Sequence, residues 1–129
     1  MALPHAKLLD VIAVGPLGAA LGQAVSTSLL KSDRVQLLHL VLPAHHDQPE
    51  HHVDDECVIH CLEGDVEVVM PGGTRRLRPG DLVVLPAAQR HALRARSASA
   101  VLQTLLLRRG DAGDRGGAGA GAKSPPPAP

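Results

Sequence analysis

Residues 43–91 constrain the fold more than any other part of the chain. Apolar runs of four to six residues alternate there with turns rich in glycine and proline, at 71–73 and 78–81. Runs of this length are typical of β-strands, and their regular spacing is typical of an all-β sandwich or barrel. Histidines and a cysteine lie just before or at the start of one run, and His91 follows another. These groups meet only if the sheet curls on itself, so the sequence predicts a small β-barrel with a site in its mouth.

The apolar pattern predicts a series of short strands. A hairpin turn is expected at Ser32-Asp33, a polar loop over 43–55 and a further turn at 62–65, where Gly64 suits a positive φ. The predicted strands are 24–31, 34–42, 57–62, 66–70, 74–77, 82–85, 91–96 and 100–107.

We expect one folded domain with an extension at each end. Residues 1–24 are predicted to form an N-terminal arm that covers one side of the core, and residues 25–108 the barrel. The last stretch, 109–129, is rich in Gly, Ala and Pro and contains no Leu, Ile or Val. It cannot bury enough apolar surface to offset the entropy of ordering, so a disordered tail is predicted.

Composition excludes several classes of partner. The formal net charge is zero, which removes the usual electrostatic basis for binding nucleic acid or an anionic membrane. The chain has no Phe, Tyr or Trp on which bases could stack, and its apolar runs are too short to span a bilayer. Both cysteines, Cys57 and Cys61, lie in one predicted strand, about 13 Å apart and beyond disulfide reach. This arrangement favours a reducing, cytoplasmic location.

Two segments carry a family resemblance. Gly80, Pro86 and His91 are spaced as in the second motif of the cupin superfamily, in which a glycine, five residues, Pro-x-Gly and two residues precede a histidine. The end of the strand at 57–64, with its Leu-Glu-Gly turn, resembles the end of the first cupin motif. The chain resembles small bacterial single-domain cupins over about residues 34–107. The resemblance implies an all-β, single-domain β-barrel or jelly roll.

The resemblance also implies positions for metal ligands. Counting back from Gly64, Cys57 occupies the place of the glutamate ligand. The two histidine positions then fall on His51 and Val53 if the gap is three residues, or on Glu50 and His52 if it is four. His91 keeps the histidine of the second motif, whereas Ala88 and Ala95 stand where cupins usually have glycine and asparagine. The set is a degenerate version of the three-His, one-Glu site.

Strand alternation gives an independent view of the same residues. Cys57, Ile59 and Cys61 share one face of their strand, and His60 lies on the other. If Cys57 is at the ligand position, its face points into the barrel and His60 points outward. His91, His51 and the Cys57 thiolate would form a nitrogen and sulfur set suited to a divalent metal, zinc or iron, and His52 could add a further ligand.

Three functions are compatible with these residues. The first is a cupin-domain protein that binds a small molecule, with a weakly held divalent metal in the barrel mouth. The second is a metal-dependent oxygenase or isomerase acting on a small organic substrate. The third is a structural or regulatory dimer that has lost its site. A homodimer is also expected because residues 35–42 are apolar on both faces, whereas a barrel wall has one inward face.

Overall fold

The computed structural model describes residues 5–107, with every side chain among them except that of His51. The predicted tail at 109–129 lies outside the described residues. One short 3-10 helix, Gly18–Gln23, precedes seven strands. The strands are β1 (Thr27–Lys31), β2 (Val35–Leu42), β3 (Asp47–His51), β4 (Cys57–Met70), β5 (Gly73–Leu77), β6 (Leu82–Leu85) and β7 (His91–Leu106). In this part of the chain no helix is long and apolar enough to cross a membrane.

The two longest strands organise one antiparallel sheet. Its order is β1-β2-β7-β4-β5, with β3 added to β7 and β6 added to β4. The start of β7 pairs with β3 and its end with β2, while the start of β4 pairs with β6 and its end with β5. Because β4 and β7 also pair with each other over most of their length, the sheet curls on itself. The fold is the predicted all-β barrel or jelly roll.

The bend of β4 and β7 differs from the sequence-based prediction. Four strands at 57–62, 66–70, 91–96 and 100–107 were expected, with breaks between them, but the structure has two continuous strands. The register shifts at three points between Cys61 and Val66. Bulges of this kind bend a strand without ending its pairing, which is why the expected turn at 62–65 is absorbed into β4.

A hydroxyl holds the bend together. Ser99 is fully buried, and its Oγ accepts a hydrogen bond from Asp65 N (2.9 Å) and donates one to the carbonyl oxygen of Ser97 (2.7 Å). Gly64 lies against it with φ of 94°. A Cβ at Gly64 would overlap the Ser99 hydroxyl and lie 2.5 Å from the carbonyl oxygen of Ala98. The glycine is therefore required both by its backbone angle and by the close approach of β7.

A further difference concerns the segment at 43–55, which was predicted as a loop. It contains β3, and the chain just before β3 also pairs with β7: His45 N and His46 O bond to Ala95. Pro49 lies within this short strand. Proline removes one ladder donor, which is tolerated in a strand that pairs on one side alone, as β3 does in the described sheet.

The core fills the inside of the curled sheet. Alternate residues of β4, from Cys57 to Cys61 and from Val66 to Val68, are at most 1% exposed. They pack against Leu40 and Leu42 of β2 and Leu93 of β7. Because the chain has no aromatic residues, aliphatic side chains build most of the core, each contributing roughly 1.5–3 kcal/mol when fully buried.

The N-terminal segment lies on the outer side of the sheet. The Glu63 carboxylate accepts hydrogen bonds from Leu17 N (2.6 Å) and Gly18 N (3.2 Å), at the start of the 3-10 helix. Leu21 in that helix is buried, and Ala6 N donates to the carbonyl oxygen of Leu29 on β1.

The rest of the outer surface divides into a charged part and an apolar part. The charged part is a chain of ion pairs across four strands: Asp47–Arg94–Glu67–Arg96–Asp65–Arg76. The apolar part, which we call the outer apolar face, consists of outward residues on β2, β4, β6 and β7. Its members are Val35, Leu37, Val58, Leu82, Val84, Leu102 and Leu106, with the polar residues His60 and Thr104 paired among them. Leu82 and Val84 remain about half exposed, at 54% and 53%.

Replacing Gly64 by alanine should damage the fold. The left-handed backbone angle costs about 1–2 kcal/mol for an L-residue, and the overlap with Ser99 adds to it, so we expect a loss of at least about 2 kcal/mol. Urea denaturation measures the change. Gly72→Ala is the matched control because nothing lies within 4 Å of its Cβ position, and it should stay within about 1 kcal/mol of wild type. Equal stability of the two variants would contradict this account of the bend.

Candidate functional site

His91 begins β7 and is fully buried on the inward face of the barrel. Its Nδ1 lies 3.0 Å from the carbonyl oxygen of Gln89. Because a carbonyl can only accept, Nδ1 donates, and the neutral ring then carries its lone pair on Nε2. This tautomer is the one that a histidine needs in order to bind a metal or accept a hydrogen bond through Nε2.

The structure brings the backbones of two predicted ligands together. His51, the last residue of β3, is the direct cross-strand partner of His91. Cα atoms of such partners lie about 4.5–5.5 Å apart. The spacing of these residues in the sequence did not predict this pairing, because it depends on how two separate strands align.

The loop before His91 is tied to the segment that follows His51. Ala88 N donates to the carbonyl oxygen of Val53 (3.0 Å), and Gln89 N donates to that of Pro86 (3.2 Å). Ala88 has φ of 62°, a left-handed angle that glycine adopts more easily. Alanine adopts this backbone angle at a cost in conformational energy. The same angle explains why cupins usually have glycine at this position of the motif.

Cys57 lies on the inward face, as predicted, and is 1% exposed. Ile59 and Cys61 share that face and are also buried, whereas His60 is part-exposed on the other side, so the predicted alternation is confirmed. Burial raises the pKa of the Cys57 thiol to about 11, an effect that the nearby Gln103 amide opposes weakly. The residue is a thiol at neutral pH, so binding a metal as thiolate would first require loss of this proton.

The two registers left open by the sequence differ in the structure. His52 is exposed, and the Glu50 carboxylate accepts a hydrogen bond from Arg90 (2.7 Å) at the surface. Val53, in contrast, is part-buried and packs against the core. With a three-residue gap the two histidine positions fall on His51 and Val53. This alignment agrees better with the structure, because Val53 faces the interior whereas Glu50 and His52 do not.

These residues fit a metal incompletely. The described inward side chains at the ligand positions are one imidazole, His91, and one protonated thiol, Cys57, while Val53 supplies no donor atom. Among the described residues, no three His, Cys, Asp or Glu side chains are grouped so that they could hold an ion. A complete site therefore depends on His51.

Gln103 is a buried polar residue near Cys57 that the sequence reasoning missed. It lies on the inward face of β7 and is 2% exposed. The available signal was a polar residue in an otherwise apolar run, at the same phase as Val101 and Leu105. An amide at an inward position of a buried strand is unusual enough to indicate a specific role.

Comparison with known proteins identifies the family. A family model described as the cupin domain matches residues 38–106, and the chain belongs to this family. No sequence among curated proteins is similar enough to count as a match.

Solved structures agree in fold. A cupin superfamily protein from Desulfitobacterium hafniense is 22% identical, with a TM-score of 0.66 over 80% of this chain and 100% of that one. A conserved protein of unknown function from Streptococcus pyogenes is 20% identical, with a TM-score of 0.64 over 84% and 96%. KdgF from Halomonas sp. is 24% identical, with a TM-score of 0.59 over 67% and 80%.

The buried thiols should make stability fall at alkaline pH. Burial raises the pKa of both Cys57 and Cys61 from 9.0 to about 11. Between these values the folded chain retains protons that the unfolded chain has lost, so the free energy of unfolding should decrease as pH rises from about 9 to 11. A shift of this size corresponds to about 2–3 kcal/mol for a thiol.

Urea denaturation at intervals of pH measures this slope. Cys57→Ala should roughly halve the decrease, because one of the two thiols is gone, and the absence of tyrosine keeps the alkaline background small. If the free energy of unfolding falls equally steeply with pH in Cys57→Ala and wild type, burial does not raise the pKa of this thiol.

Proposed function

We propose that this protein binds a small molecule in the mouth of its cupin barrel, with a weakly held divalent metal at the same place. The observation that carries the proposal is the position of His91. Its ring is buried, its Nδ1 is engaged by Gln89 and its backbone lies beside that of His51. A buried imidazole held in one tautomer presents Nε2 as a fixed acceptor or ligand atom.

His91 and His51 would be the main metal ligands. Cys57 ranks below them because its thiol holds its proton, and His52 below that because it is exposed. Nitrogen donors with a thiol suit zinc, and the histidines also suit iron. A divalent ion held there would polarise an oxygen of the bound molecule. A non-haem iron oxygenase needs at least a three-ligand facial set, and the described side chains provide fewer.

Metal content of purified variants tests this ranking. After reconstitution with zinc or iron(II) and removal of excess ion, elemental analysis should give the highest metal-to-protein ratio for wild type. His91→Ala should retain less than about a tenth of it, His51→Ala somewhat more and Cys57→Ser the most of the three. His60→Ala, on the outer side of the same strand as Cys57, is the control and should equal wild type. Equal ratios in all five proteins would place the ion elsewhere.

We further propose that the protein is a homodimer formed through the outer apolar face. The 3-10 helix contacts β7, but Leu82, Val84 and Leu106 remain 37–54% exposed. A second copy supplies a matching and mainly apolar surface, so two such faces can pack without burying an unpaired Asp, Glu, Lys or Arg side chain.

A single charge on this face should prevent assembly. Val84→Lys places an ammonium group at the contact without disturbing the core, because Val84 is half exposed in one chain. Size-exclusion chromatography with light scattering should give twice the chain mass for wild type and the single mass for Val84→Lys. Thr74→Lys, exposed on β5, is the matched control and should remain a dimer. A wild-type monomer at high micromolar concentration would overturn the proposal.

The cysteines support a reducing location such as the cytoplasm. Both are free and buried, and neither has a disulfide partner among the described residues.

A further inference from the structure

Gln103 is enclosed by apolar side chains on the inward face of β7. Its backbone is paired with Leu38 of β2 on one side and Ile59 of β4 on the other. Val101 and Leu105, which share its face, belong to the core. An amide in such surroundings has given up its hydrogen bonds to water, and buried amides are therefore normally bonded to protein groups.

The amide nitrogen of Gln103 has no such bond. Among the described residues, none provides a hydrogen-bond acceptor for Gln103 Nε2. The thiol of Cys57 lies close enough for the amide to affect it, but the two do not form a hydrogen bond of good geometry. Gln103 Nε2 is therefore a buried donor without a hydrogen-bond acceptor among the described residues.

Cys57 and Gln103 lie beneath the end of the barrel where β7 begins with His91. Cys57 pairs with Leu85, the residue that precedes the loop to His91, and that loop is bonded to Val53. Ile59, the partner of Gln103, is two residues further along β4. A molecule that passed His91 would therefore meet Cys57 first and Gln103 next.

We propose that Gln103 Nε2 forms the polar floor of the barrel site, and that the ligand is an uncharged small molecule presenting a carbonyl or hydroxyl oxygen to it. This assignment rests on the proposed binding function. The described residues bury no Asp, Glu, Lys or Arg, so the floor offers no opposite charge to an ionic ligand. A charged group placed there would lose its hydration without compensation.

Chemical shifts of the wild-type side-chain amide test the proposal directly. The probes are cyclopentanone and 2-pyrrolidinone at millimolar concentration, added to the full chain labelled with ¹⁵N. The Gln103 amide pair, identified by its absence in Gln103→Leu, should shift with either probe and saturate. Cyclopentanecarboxylate, of similar size but anionic, should leave it unmoved. A saturable shift of this pair with the carboxylate alone would overturn the assignment to an uncharged ligand.

The variant Gln103→Leu gives a second test. Removing an unbonded amide from an apolar interior should raise the melting temperature by several degrees, and the affinity for cyclopentanone should fall at least tenfold. Gln23→Leu, at an exposed position, should change neither quantity. If the leucine variant does not fold, Gln103→Met, closer in shape, replaces it. A lower melting temperature with unchanged cyclopentanone affinity would mean that the amide is a structural group and would overturn the floor.

Failure of the floor and failure of the metal proposal give different results. Zinc uptake that is lost in His91→Ala, with no shift of the Gln103 amide by either uncharged probe, would uphold the metal and overturn the floor. A saturable shift of the Gln103 amide, with equal zinc uptake in wild type and His91→Ala, would uphold the floor and overturn the metal proposal.

Discussion

The ladder between β4 and β7 is the interaction on which the rest of the structure depends. Each strand is long enough to belong to both halves of the barrel, and they are paired from Cys57 opposite Leu105 to Val69 opposite Ala92. The bulges near Gly64 bend this pair of strands sharply. As a result, Cys57 of β4 and both His91 and Gln103 of β7 face the interior of the barrel.

The sequence predicts this architecture well where side-chain alternation is strict. Cys57, Ile59 and Cys61 are inward as expected, and the hairpin at Ser32-Asp33 joins β1 to β2. Continuity of β4 and β7 could not be predicted, because Gly64 is as suitable for a turn as for a bulge and the choice depends on its fit against Ser99. The strand β3 was missed because its stability comes from pairing with β7 and not from its own polar residues.

The candidate site was predictable in part for a similar reason. His91 follows a motif whose geometry is local, and the structure buries it where the motif implies. Gln103 belongs to no motif, and its position beside Cys57 depends on the register between two strands that are far apart in sequence. Compared with the usual cupin ligand set, this chain has an apolar residue at Val53, a protonated thiol at Cys57 and a buried amide nearby. We infer that these replacements weaken the hold on a metal and add hydrogen-bonding groups to the interior.

The state of the His91 ring is the most direct test of this account. Long-range ¹H–¹⁵N correlation spectra of the full chain distinguish a protonated ring nitrogen from one with a free lone pair. The account requires Nδ1 to be protonated at neutral pH, because it donates to Gln89, and Nε2 to be the nitrogen whose shift changes when zinc is added. A ring protonated on Nε2, or a zinc-induced change confined to histidines other than His91, would contradict it.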